Sequence, residues 1–304
     1  MKQGENPNWF ANNPLFRINN EKDQSGFVAE KRKDPDSLVI PLWRGDPLIV
    51  DGKAGFLSVA AISEFPADTP VVFLGLKHGR AFFGADISAT AQTPEAAPFA
   101  EIGEYMQLRM AAGILPRDDI AIIGQARWLF EWHRKHPFCA QCGHETVMIA
   151  GGAKRRCNHC EAEHFPRSDP VAIVLAVHED ACLLGRGPHF PPGFLSALAG
   201  FIEAGETPEE AAKRELFEEA GVTLTDIRYQ FSQPWPFPSS MMMGFIADVE
   251  DRTINLDKEE IEEARWIDLA GINTLLAGGE YEGVFLPPKF TIARQLIERW
   301  AGGV

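Results

Sequence analysis

Between residues 37 and 87 the apolar positions fall in short runs, SLVIPLW, GFLSVAAI, VVFLGL and AFFGADI, separated by segments rich in Gly, Pro and Asp. Runs of that length between turn formers predict a meander of β-strands. After the loop TAQTPEAAP the apolar spacing becomes helical, in FAEIGEYMQLRMAAGI and again in DIAIIGQARWLFEWHRKH. An α+β region is therefore expected over residues 1–130.

Residues 131–168 carry paired cysteines, and the pattern changes again after Pro170. There VAIVLAV reads as a buried strand, HEDA as a turn, CLL as a second strand, GRGPHFPPG as a loop and LSALAG as a third strand. A helix is expected from Thr207. In TIARQLIERW, Ile292, Ala293, Leu296, Ile297 and Trp300 form one apolar stripe, the mark of an amphipathic closing helix. No internal repeat or low-complexity tract occurs. The expected division is 1–130, 131–168 and 169–304.

Composition narrows the class. With 45% hydrophobic and 24% charged residues and 21 Phe, the chain is of globular type. The longest apolar run, Val171 to Val177, is strand-sized and no membrane span is expected. The N-terminal MKQGENPNWFANNP lacks the apolar stretch of a secretory signal and AGGV is no peroxisomal address, so a cytoplasmic location is expected. The net charge of −14 opposes general binding to polyanions, so a phosphate substrate has to be met by bound cations or local basic groups.

Four of the five cysteines form two C-x-x-C pairs, Cys139/Cys142 and Cys157/Cys160, with 14 residues between the pairs and Gly143 turning the chain after the first. Two pairs at that spacing point to a closed tetrathiolate Zn²⁺ site of structural type; a redox role is the alternative for either pair alone. His136, His144, His159 and His164 then have no ligand role. Cys182, in ACLL, reads as a small buried apolar residue. Around the module Arg134, Lys135, Lys154, Arg155, Arg156 and Arg167 outnumber Glu145, Glu161 and Glu163. Such a patch suits either an RNA tail or a solubilising face.

The most informative segment is GFIEAGETPEEAAKRELFEEAGV, Gly200 to Val222. Thr207 as cap, Pro208 at the first helical position and Glu210 as capping-box partner start a helix, and Gly221 stops it. Glu215 and Glu219, four residues apart, share one helix face with Glu218 close by. Their mutual repulsion is relieved by a hard divalent cation, while Arg214 can anchor one carboxylate. A bare acidic cluster more often faces solvent.

Here the whole segment matches the Nudix box at Gly200, Glu206, Arg214, Glu215, Leu216, Glu218, Glu219, Gly221 and Val222, and the chain resembles that hydrolase superfamily. The resemblance implies a C-terminal Nudix fold, a mixed sheet sandwiched by helices, beside a small zinc ribbon and an N-terminal α+β domain of degenerate Nudix type. It implies Mg²⁺ or Mn²⁺ held by the Ala199 carbonyl, Glu215 and Glu219, with Glu218 in or near the cluster. A later carboxylate in DKEEIEEARW completes the set; Glu260 matches that position, and Glu259, Glu262 and Glu263 are its neighbours.

Beyond the box lies SQPWPFPSS. Three prolines alternating with Trp235 and Phe237 make a stiff segment unable to continue a sheet ladder, suited either to packing or to stacking on a flat ring. Its sequence, the cysteine module and FPRSDP resemble the NudC-type NADH pyrophosphatases over about residues 105–300. That resemblance implies substrate contacts at Phe165, Phe201, Ser232, Gln233, Pro234, Trp235, Pro236, Phe237, Pro238, Ser239 and Ala293. Arg109 is a weaker candidate. It also implies cleavage of NADH or NAD to NMN(H) and AMP, removal of NAD caps from RNA, and a homodimer. The alternatives are an ADP-ribose hydrolase and a non-catalytic protein that senses nucleotide or RNA.

Overall fold

The computed structural model describes residues 6–18 and 26–302. Parts of MKQGENPNWFANNP and of AGGV, residues 1–5 and 303–304, lie outside the described residues. The chain forms two compact units. One comprises residues up to Ala11, Asp169–Pro234 and Ser240–Val304; the other comprises Asn12–Ser168 with Trp235–Ser239. The cysteine module thus belongs to the same unit as the N-terminal region, and five residues of SQPWPFPSS join that unit from far along the chain.

In the N-terminal unit a short helix α1 (Phe27–Lys31) precedes strands β1 (Leu38–Trp43), β2 (Asp46–Val50), β3 (Lys53–Ala54), β4 (Leu57–Ser58), β5 (Val71–Lys77), β6 (Arg80–Asp86) and β7 (Glu104–Tyr105). They order as β3-β2-β1-β6-β5, with β4 also on β1 and β7 on β2. The sheet is mixed and not a simple meander, because β1 pairs with β6 in parallel.

Two expectations fail here, the first for a local reason and the second for a tertiary one. GFLSVAAI is a strand only at Leu57–Ser58; the Ser58 side chain then accepts from the Ala60 N–H and starts a 3-10 turn over Val59–Glu64. FAEIGEYMQLRMAAGI is helical only at α2 (Leu108–Ala111), since Glu104 and Tyr105 pair with Ile49 and Leu48 of β2. Gly103 permits that approach: a β-carbon there would lie 2.2 Å from the Ile49 carbonyl oxygen.

The long helix α3 (Arg117–Lys135) forms as its period predicts, with Asp118 and Asp119 in the first turn and His133, Arg134 and Lys135 in the last, the arrangement the helix dipole favours. It packs on β5 and β6. The cysteine module follows as a three-stranded sheet, β8 (Thr146–Ile149), β9 (Lys154–Cys157) and β10 (Glu163–His164), in the order β10-β9-β8.

The second unit contains β11 (Asp169–His178), β12 (Ala181–Arg186), β13 (Leu198–Phe201), helix α4 (Pro208–Ala220), β14 (Leu224–Trp235), β15 (Ser240–Val249), β16 (Glu263–Asp268), α5 (Leu269–Leu276) and α6 (Ile292–Gly302). The six-stranded sheet runs β14-β15-β11-β12-β16, with β13 also on β11. β11 is parallel to β15 and antiparallel to β12 and β13, so the sheet is mixed.

Strand alternation sends Ile173, Leu175 and Val177 to one face, against Ile292, Leu296 and Ile297 of α6. Ala172, Val174 and Ala176 go to the other, against Ala211, Ala212 and Leu216 of α4. Leu296 and Ile297 are fully buried, each contributing about 2 kcal/mol by leaving water. The sheet is therefore sandwiched between helices. Cys182 lies in the first of these cores, where burial pushes its thiol up to about 12.

Candidate active site

Helix α4 begins and ends where its sequence says. Thr207 accepts from the Glu210 N–H at 3.2 Å while Glu210 accepts from the Thr207 N–H at 2.7 Å, closing a capping box. Gly221 ends the helix in the left-handed conformation, at φ 68°. Between these ends Leu216 and Ala220 anchor the helix in the core, leaving Glu215 half-buried, Glu218 exposed and Glu219 buried.

Glu215 lies against β13. A β-carbon on Gly200 would fall 1.8 Å from its carboxylate carbon, so only glycine leaves room for this side chain. Arg214 holds the other side: Nη1 donates to Glu215 at 2.8 Å and to Glu218 at 3.1 Å, and Nη2 donates to the Phe201 carbonyl at 2.9 Å. Its Nε and Nη2 also grip Glu206 at 2.6 and 2.8 Å, which holds that carboxyl down at about 2. With both faces of its fork committed, Arg214 is an organiser of carboxylates.

Glu219 is different. It is only 8% exposed, and its Oε2 has no hydrogen-bond partner. Burial, then the charges of Glu215, Glu260 and Glu218, push its carboxyl up to about 8. A buried carboxylate oxygen without a donor is costly, and three further carboxylates around it make the cost larger. The donor set is all oxygen, the chemistry that suits Mg²⁺ or Mn²⁺.

The later loop is tied to this helix by the Asp257 N–H, which donates to the Glu219 carbonyl at 3.1 Å. Within it Glu262 and Glu263 are taken by Arg186, at 2.6 and 2.9 Å. Glu260 is exposed and its charge is the one from this loop that Glu219 feels. Ala199 sits on β13 opposite Ile173, immediately before Gly200.

The residues expected to meet substrate separate into two groups. Phe165 and Phe201 are 65% and 61% exposed. Trp235 ends β14, so SQPW does continue the ladder, and Pro236–Ser239 form the turn into β15. The Trp235 and Phe237 rings meet edge to face, 4.8 Å between centres. Pro238 is exposed, Ser232 and Pro234 are half-buried, and Pro236 and Ser239 are buried.

Gln233 and Ala293 lie with their side chains beneath the surface. Gln233 is fully buried; its Nε2 donates to the Trp9 and Phe290 carbonyls at 3.0 and 2.8 Å, and its Oε1 accepts from the Ile292 N–H at 2.8 Å. Its amide is spent as a clamp. Ala293, 4% exposed, is packed in the core by α6. Ser232 likewise gives its carbonyl to Asn6 at 2.7 Å and to Asn8 at 3.2 Å.

Other residues were missed or underrated. The Arg109 guanidinium lies 4.6 Å from the Phe237 ring centre and 5.8 Å from that of Trp235, and Arg127 lies 5.0 Å from Phe237. With Arg44, Asp46, Gln107, Glu131 and Pro238 they line an open cleft of about 380 Å³. Arg109 was a weaker candidate from the sequence, whereas Arg127 was one basic residue in a helical stretch, too common to single out.

The four thiols of Cys139, Cys142, Cys157 and Cys160 lie within 4.8 Å of one another, the one such Cys, His, Asp or Glu cluster among the described residues. They form the zinc-binding site. N–H groups of Cys160 and His159 point at the Cys157 sulfur at 3.5 and 3.4 Å and help hold that thiol down at about 6. His164 lies 3.2 Å from the Cys139 sulfur, and His144 and His159 stack on each other. Most of the basic surplus here is already engaged: Arg134 and Lys135 pair with Glu131, Lys154 pairs with Glu163, and Arg155 is buried against Thr146 and His133. No helix is long and apolar enough to cross a membrane among the described residues.

Three known domain families match in tandem: the NADH pyrophosphatase-like rudimentary NUDIX domain at residues 36–132, the NADH pyrophosphatase zinc ribbon domain at 134–165 and the NUDIX domain at 166–286. The chain is 39% identical over 225 residues to the NAD-capped RNA hydrolase NudC of Chromobacterium violaceum, covering 74% of this chain and 78% of that one. It is 42% identical over 196 residues to the human NAD-capped RNA hydrolase NUDT12, covering 61% of this chain and 42% of the relative's length. It is 36% identical over 225 residues to the mouse mitochondrial NAD(P)H pyrophosphatase NUDT13, covering 70% of this chain and 64% of that protein.

Proposed function

Since this chain belongs to the NADH pyrophosphatase branch of the Nudix family, we propose that it is a metal-dependent hydrolase splitting the pyrophosphate of NADH or NAD into NMN(H) and AMP. The observation that carries this reading is the buried, partnerless Oε2 of Glu219 among Glu215, Glu218 and Glu260. Such a site makes physical sense when a cation occupies it.

Glu215, Glu219, Glu260 and the Ala199 carbonyl would hold Mg²⁺ or Mn²⁺. Bound there, a divalent ion would supply charge neutralisation for the phosphates and would lower the pKa of a water for attack on phosphorus. Arg214 keeps Glu215 and Glu218 oriented, and Gly200 leaves the space that Glu215 occupies. Water adds across one P–O–P bond, so each product leaves with a terminal phosphate. Trp235 and Phe237 receive a flat ring of the dinucleotide, with Phe165 and Phe201 as further exposed aromatic contacts. Gln233 acts behind that surface by bracing the strand.

The same cleavage serves the NAD cap of an RNA, the substrate class for which two relatives are named. A homodimer and a cytoplasmic location are part of the same reading; four reduced thiols on zinc suit a reducing compartment. Product analysis with NADH, NAD, ADP-ribose and NAD-capped RNA, each under Mg²⁺ and Mn²⁺, tests it. NMN(H) and AMP from the first two support the proposal; binding without turnover would make this a sensing protein, and activity confined to ADP-ribose would reassign the substrate.

A further inference from the structure

Resting on the reading of Trp235 and Phe237 as the ring-binding pair, we infer that Arg127 is a positioning residue for them, acting through Pro236 and Phe237 without touching substrate. The turn they occupy contains Pro236 and Pro238, which bring no N–H, so it has few donors with which to hold itself. Arg127 of α3 adds a hold from outside the turn. Its Nε donates to the Pro236 carbonyl at 2.9 Å, and its Nη1 donates to the Gly45 carbonyl at 2.8 Å and to Asp46 Oδ1 at 3.3 Å. The guanidinium at the same time lies 5.0 Å from the centre of the Phe237 ring.

The opposite end of this hold is built for it. Gly45 adopts φ 83°, and a β-carbon there would fall 2.5 Å from Arg127 Nη1. Asp46 Oδ1 accepts a second bond, from the Leu108 N–H at 3.2 Å, at the start of the short helix that carries Arg109. One carboxylate oxygen therefore ties down both the arginine that grips the turn and the helix whose arginine lies 4.6 Å from the same ring. Two guanidinium groups converge on Phe237 although their charges repel, and Asp46 and then Glu131 are the anions that favour the charge on Arg127. A lysine cannot replace this hold, because an ammonium lacks the planar fork that reaches Pro236 and Gly45 together.

The experiment is a double-mutant cycle read by steady-state kinetics on NADH with saturating Mg²⁺, with a melting curve for every variant. Arg127→Lys is expected to raise KM by about three- to thirty-fold, the range of a lost cation–π contact and its alignment, with kcat little changed. Asp46→Asn, which keeps an acceptor for Leu108, moves KM in the same direction by less. In the background Trp235→Ala/Phe237→Ala, Arg127→Lys adds no further rise, because the rings through which it acts are gone. Additive losses in KM, or a fall in kcat that tracks a lowered melting temperature, overturn the assignment and make Arg127 a fold-stabilising residue. If the double ring variant leaves KM for NADH unchanged, the ring-binding reading fails first and this assignment falls with it.

Discussion

The carboxylate of Glu215 occupies the space that a side chain on Gly200 would fill, with a β-carbon there only 1.8 Å from its Cδ. The glycine that opens the box is thus a steric partner of a proposed metal ligand. Gly200 does not have a positive φ, so substitution tests the contact and not the backbone. Gly200→Ala is expected to displace Glu215 by about an ångström and lower kcat/KM by about 100-fold. Circular dichroism should show the fold retained; wild-type turnover would break the link between this contact and catalysis.

Glu219→Gln removes one charge and keeps the shape. Turnover is expected to fall by about 100-fold or more, read with NADH under saturating Mg²⁺. The same variant has a stability signature. In metal-free protein the Glu219 carboxyl is pushed up to about 8 from 4.5 by burial and neighbouring carboxylates. The native state then binds its proton more tightly than the unfolded chain, so this contribution is full below about 4.5 and is lost as pH rises through about 8. Melting temperatures measured across that window should decline in the metal-free wild type. The decline should shrink in Glu219→Gln and on adding Mg²⁺.

His133 predicts a dependence of the opposite sense. Its Nε2 donates to the Gly152 carbonyl at 2.8 Å, which leaves Nδ1 to accept from Arg155 Nη1 at 3.1 Å. Burial, with the Arg155 charge adding to it, pushes the imidazole down to about 4. The unfolded chain therefore binds a proton that the native state refuses, and stability present above about 6.5 is lost as pH falls through about 4. The full shift corresponds to about 3 kcal/mol. His133→Gln, which keeps a donor for Gly152, should flatten the denaturation midpoint between pH 6.5 and 4; an unchanged slope would show that His133 is not the group responsible.

Chelation separates the two classes of metal. Brief EDTA is expected to stop turnover, with full recovery on adding Mg²⁺, because the carboxylate site exchanges readily. Removing the thiolate-bound ion, or Cys157→Ser, is expected to lower the melting temperature, since binding there is coupled to folding. Elemental analysis should find one zinc per chain in purified protein and less in the cysteine variant. An unchanged melting curve after complete zinc loss would remove its structural role.

The sequence by itself determined the features whose parts lie within a turn or two of chain. Thr207, Glu210, Glu215, Glu219 and Gly221 stand at spacings that a helix converts directly into a cap, a shared face and a stop, whatever surrounds it. The two thiol pairs are equally local, because each C-x-x-C turn places its sulfurs together. The strands β11 and β12 and the closing helix were legible for a related reason: their periods state which side is buried.

Only the tertiary structure decided the rest, because it depends on which distant group arrives opposite. Four glutamates compete within DKEEIEEARW; Arg186, far back on β12, takes Glu262 and Glu263, and Glu260 is the one whose charge acts on Glu219. The partners of the Gln233 amide, Trp9, Phe290 and Ile292, come from segments far from it in the chain. The helix expected around Gly103 gave way because pairing with β2 satisfied Glu104 and Tyr105 instead. Arg127 and Pro236 are 109 residues apart, and no local pattern in either segment carries their hydrogen bond. Periodicity reports how a segment meets an apolar core; the partner of a single polar atom is set by folding.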